Sequence, residues 1–140
     1  MGFLEEQLKQ ILSAFMVDDA KSDELLDGAH APLSSFSSRI TACYALGLIS
    51  EAEHHDLNLL RKIRNDFAHD IHASFDTQSV VDRCKLLKLK AEDYSSEKLG
   101  NVRIEPNGQF QTAAVALIMN FINRPHYVSK ERRQAKSWVH

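Results

Sequence analysis

The stretch "SEAEHHDLNLLRKIRNDFAHDIH", residues 50–72, sets the fold class, because Leu57, Leu60, Ile63 and Phe67 return at three- and four-residue spacing. That period marks one buried stripe of an α-helix. Ser50 stands three residues before Glu53, the capping-box pattern in which hydroxyl and carboxylate satisfy free amides at a helix start. The spacing therefore predicts a helix from there to about His69, ending on the run Arg64-Asn65-Asp66-Phe67-Ala68-His69.

The same period recurs on either side. Phe3, Leu4, Leu8, Ile11, Leu12, Phe15 and Met16 predict an amphipathic first helix. "DDAKSDELLDGAHAP" reads as a connection with a short helical stretch around Asp23 to Leu26. Leu33, Phe36, Ile40, Cys43 and Tyr44 predict a second helix over 33–46, with Pro32 in its first turn and Gly47 as its left-handed cap. After His69, Asp76 is the expected cap of a helix carrying Val80, Val81, Cys84 and Leu87, with Lys85, Lys88 and Lys90 toward its C-terminal half.

Residues 91 to 109 lack helical spacing, and "EPNG" suggests a turn. "NVRIE" and "GQFQT" could pair around it as a hairpin, an irregular or β insertion near residues 100–111. Phe110, Ala113, Ala114, Leu117, Ile118, Phe121 and Ile122 predict the last helix, which Pro125 would end, leaving a polar, basic tail from about residue 124. The expectation is a mainly all-α, single-domain bundle over residues 1–140.

Composition narrows the function classes. Apolar residues make up 44% and charged residues 26%, ordinary globular usage. The longest apolar run, Thr112 to Ile122, is far short of the roughly 20 residues a membrane span needs. Acids near the N-terminus do not suit a signal peptide, so a cytoplasmic location is expected. Cys43 and Cys84 lie in apolar periodic segments and read as buried, reduced thiols. A net charge of −2 argues against a general nucleic-acid binder, although the acids gather toward the N-terminus and the bases toward the C-terminus.

Several constellations invite chemistry. His54, His55, Asp56, Glu51 and Glu53 cluster, but adjacent histidines diverge around a helix and give no clean metal-ligand pair. Ser34, Ser35, Ser37 and Ser38 show no nucleophile elbow, and their bland reading is close packing of the second helix. No glycine-rich phosphate loop is present, and no cofactor is expected. "ALGLISEAEHHDLNLLRKIRNDF" has two helices around a glycine turn, yet the second offers too few basic and amide side chains at its start to read a major groove.

The run Arg64 to His69 carries the sharpest question. In a ribonuclease, His69 would move the 2′-hydroxyl proton and Arg64 would stabilise charge on phosphate, with Asn65 and Asp66 in support. The other reading is a structural polar network of Arg39, Arg64, Asn65, Asp66, His69 and Asp70, in which Arg64 pairs with Asp66 or another acid and Arg39 reaches Asp66 across helices. An ideal helix sets Arg64 and His69 about 140° apart. That separation, with Phe67 and Ala68 expected against the core, favours the structural reading.

The Arg-Asn, spacer and His at a helix end resemble the R-x4-6-H signature of HEPN helical domains, many of them metal-independent endoribonucleases and others inactive scaffolds. Together with "HAPLSSFSSRITACYALGLIS", the stretch "LNLLRKIRNDFAHD" more specifically resembles the mannitol operon repressor family of bacterial regulators, over roughly residues 23–123. That resemblance implies a cytoplasmic, mostly helical protein in negative control of transcription of a sugar-alcohol operon, or a paralogue with an undefined target, and a non-enzymatic regulator is the leading expectation. A homodimer acting through a protein partner, itself a DNA-binding regulator, is the expected mode, in preference to direct DNA binding.

Overall fold

The structure, a computed structural model, describes residues 2–139. Among them are seven helices and one two-stranded antiparallel hairpin, so the mainly helical expectation holds. The chain divides into two compact units: residues up to Ser50 together with the chain from Asn120, and Glu51–Met119.

In the first unit, α1 (Gly2–Phe15) is the element against which α2 (Ala20–Leu26), α3 (Phe36–Ala45) and α7 (Arg124–Ser129) pack. Of its predicted stripe, Leu4, Leu8, Ile11 and Leu12 are buried and Phe15 and Met16 half-buried, whereas Phe3, at the helix start, is exposed. α2 starts three residues earlier than expected, because the Asp19 carboxylate accepts the Lys21 amide at 2.8 Å and caps it. α3 starts later than expected. Pro32 stays in the preceding turn and Ser35 is the cap, its hydroxyl accepting the Ser38 amide at 3.1 Å. Gly47 does close α3 at φ +74°, with Leu48 N donating to Cys43 O and Gly47 N to Tyr44 O.

Guanidinium groups also hold this unit together. Arg39, on α3, is buried and donates to three backbone carbonyls: Leu33 at 2.8 Å, Glu5 at 3.1 Å and Leu26 at 3.1 Å. α1 has no basic residue in its last turn, and the chain after α7 supplies one. Arg132 donates to Ser13 O and Met16 O at 2.9 and 2.8 Å, while Arg133 N donates to Phe15 O. The expected basic tail is thus partly a cap for carbonyls that α1 leaves unpaired. Pro125 does not simply end a helix either. The preceding helix stops at Phe121, and Pro125 sits in the first turn of α7, where its missing N–H costs nothing.

In the second unit, α4 (Glu51–His69) buries Leu57, Leu60 and Ile63 and packs on α5 (Gln78–Leu86), which buries Val80 and Cys84. Asp76 is not the cap of α5. Thr77 holds that position without a side-chain cap, its hydroxyl instead accepting the Ser74 amide at 2.9 Å. α5 ends at Leu86, so Lys88 and Lys90 lie beyond it.

The hairpin pairs β1 (Tyr94–Ser96) with β2 (Gly100–Val102), eight residues before the expected Asn-Gly turn. Pro106, Asn107 and Gly108 instead open α6 (Pro106–Phe121). A helix wins there because Pro106 is pre-set for a first helical position. Gly108 serves packing, since a Cβ would stand 3.1 Å from Ile104 Cγ2. The actual hairpin turn uses Gly100 at φ +67°.

Replacing Arg39 with Leu would strand the Leu33 and Leu26 carbonyls, which no helix serves, and should cost at least about 2 kcal/mol in urea unfolding. A loss below about 0.5 kcal/mol would show that they find other donors. Both cysteines are free and buried, and burial pushes the Cys43 thiol up to about 12 and Cys84 up to about 11. Their alkylation at pH 8 should be slow in the native protein and rapid in urea, as read by mass spectrometry.

Candidate functional site

α4 carries nearly every polar residue singled out in the sequence, and its own packing distributes them. Ile63 points into the core, so the helix turns Asn65 and Asp66 to half-buried positions and leaves Ala68 and His69 exposed at its C-terminal end. Arg64 is half-buried. The expectation that Ala68 packs against the core therefore fails: α4 runs past the buried surface before it terminates. Phe67 is only half-buried, with its ring 5.2 Å from that of Phe75, which lies 5.6 Å from Phe110.

Members of the expected polar network take several different partners. Asp66 forms an ion pair with Arg83 of α5, whose guanidinium also reaches Lys62 O at 3.4 Å. Arg39 is committed to its three carbonyls. Asp70 lies just after the helix, where its carboxylate accepts the His72 amide at 2.9 Å and forms a local turn. Arg83 was not singled out by the sequence reading. Its position on the face of α5 that meets α4, seventeen residues after Asp66, was the available signal.

The best-defined polar group is another residue whose part the sequence did not disclose. Asp56 is completely buried, and its carboxylate accepts backbone amides from Lys88 at 2.9 Å and Leu89 at 2.7 Å. His55 Nδ1 lies 2.9 Å from the same carboxylate. Asp56 is thus an acceptor for the chain leaving α5, a structural use of a residue noted in the histidine cluster. His54 turns to Asn58, its Nε2 3.2 Å from the amide nitrogen. Among the described residues no group of three or more His, Cys, Asp or Glu could hold a metal ion.

Compared with known families, residues 2–135 match the model of the mannitol repressor family. The chain belongs to the mannitol repressor family. The match extends beyond the 23–123 stretch that carried the resemblance and takes in α1 and α7. No curated protein and no solved structure matches the chain. Membership supports a repressor of the mannitol operon and a regulator in preference to an enzyme. Among the described residues no helix is long and apolar enough to cross a membrane.

Asp56→Ala in this mannitol repressor relative would leave two amides without their charged acceptor, so urea unfolding should show a loss of about 3 kcal/mol or more. His69→Ala, at an exposed helix end, should change stability by less than about 0.5 kcal/mol. An equal loss in both variants would contradict the division between a buried anchor and an exposed end.

Proposed function

We propose that the chain represses transcription through a protein partner, as a homodimer, and does not read operator DNA itself. The observation that carries this reading is the direction of its guanidinium groups. Arg39, Arg124 and Arg132 donate to carbonyls of their own chain, and Arg83 pairs with Asp66. Protein–DNA affinity rests largely on arginines and lysines that meet phosphates, and these four are engaged internally. The first turn of α4 carries Glu51 and Glu53, which oppose the approach of a phosphate backbone. Val115 and Met119, one turn apart on α6, are 57% and 64% exposed and offer apolar surface for a protein contact.

Band-shift and pull-down measurements test this reading together. The purified protein should not retard operator duplex at physiological salt, while tagged protein should retain a DNA-binding regulator from extracts of the native host. Salt-sensitive, sequence-specific binding of the duplex at nanomolar protein would overturn it.

The exposure of His69 favours one second reading, metal-independent RNA cleavage by Arg64 and His69 with Asn65 and Asp66 in support. Against it stands the Asp66–Arg83 pair, which engages the nearby carboxylate. Cleavage of single-stranded RNA in the presence of chelator, lost in a folded His69→Ala variant, would establish the enzyme reading.

A further inference from the structure

The first unit carries a groove of about 260 Å³ on α1, beside the chain that leads from Phe121 into α7. Phe3, Phe121, Ile122 and Pro125 give it an apolar floor, and Glu6, Gln7 and Gln10 complete its lining. Phe3 and Ile122 are 61% and 54% exposed, so two large apolar side chains meet water on one surface. Glu6 accepts from Gln10 Nε2 at 2.8 Å through Oε1, and its second oxygen keeps its capacity for another donor.

The chain after α7 carries the complementary groups. Residues 134–139 are all exposed, Trp138 at 68% and Val139 at 94%. Lys136 Nζ lies 4.4 Å from the centre of the Trp138 ring, so this segment presents an indole and a cation side by side. It also leads away from its own groove. Pro125 lines the groove, whereas Arg133 N, eight residues on, donates to Phe15 O at the far end of α1. From that point an extended chain can carry Trp138 up to about 17 Å further, within reach of another molecule.

We infer that the groove receives residues 134–139 of a second copy of this chain, with the Trp138 indole on the apolar floor and Lys136 against Glu6. Charge and polarity match at both points: the groove sets a carboxylate beside an apolar surface, and the segment sets an ammonium beside an aromatic ring. Each copy owns both a groove and a segment, so the exchange is reciprocal and closes as a two-fold dimer. Two inserted indoles, each burying about 200 Å² against a like area of groove, put the contact at the low end of specific interfaces and the affinity near micromolar. This deepens the homodimer of the function proposed above, and self-association is measurable without partner or promoter.

Trp138 is the single tryptophan of the chain, so its fluorescence reads the docking directly. Sedimentation of the full chain across about 1 to 100 μM should show a monomer giving way to a dimer, with tryptophan emission moving to the blue over the same range. Trp138→Ala should weaken the dimer at least tenfold, as loss of a buried aromatic anchor does. Ile122→Glu, at an exposed groove position, should stay folded by circular dichroism, remain monomeric and keep its emission red. Mixing these two variants should restore a weaker dimer and the blue shift, because one chain keeps an intact groove and the other an intact indole. No rescue in the mixture, or a Trp138→Ala dimer as tight as the parent, would overturn the docking and leave the homodimer standing. Blue emission from a monomer at every dilution would place the indole in its own chain and overturn it too. A red-emitting monomer throughout would overturn both the docking and the homodimer, while partner-mediated repression is read separately by the pull-down.

Discussion

The carboxylate of Asp56 is the constraint on which the second unit depends. A fully buried carboxylate is tolerable only when its lone pairs are met, and here two consecutive backbone amides, Lys88 and Leu89, meet them. The chain leaving α5 cannot satisfy those amides in a helix, because α5 has already ended at Leu86. Each side thus resolves the other's unmet polar group. The arrangement ties an early turn of α4 to a segment more than thirty residues later.

The same device continues along the irregular segment. Ala91 N donates to the Thr112 hydroxyl at 2.8 Å, and Ile104 N donates to Asp93 at 2.6 Å. Three side-chain acceptors therefore serve backbone amides on either side of the hairpin, where no ladder reaches them. The first unit uses the opposite polarity. There Arg39, Arg124 and Arg132 donate to carbonyls of loops and helix ends, the groups that helices leave without internal partners. Part of the charge that a composition count records as surface character is thus fold chemistry.

This explains which parts of the structure were legible. Hydrophobic spacing is a local property, so the stripes of α1 and α4 could be read directly, as could Gly47, whose φ of +74° only glycine adopts without cost. The Asn-Gly pair misled because the same dipeptide suits a turn or a helix start, and Pro106 before it together with Ile104 beside it decides for the helix. Arg39 was visible as an arginine on an apolar face. Its partners, however, are backbone carbonyls, which carry no residue identity and leave no trace in a sequence. Asp56 was hidden for the same reason: its partners are amides of Lys88 and Leu89 and not their side chains.

The candidate site was legible only as a list of residue types, because spacing along one helix says nothing about the helix beside it. Arg83 on α5 pairs with Asp66, a partner that the motif itself does not announce. A short motif of this kind records which groups are available at a helix end, whereas chemistry depends on which remain uncommitted after packing. In this chain packing commits the carboxylate to α5 and leaves the imidazole at the surface. Regulation by contact needs no more than such a surface, while acid–base catalysis needs the two groups held together.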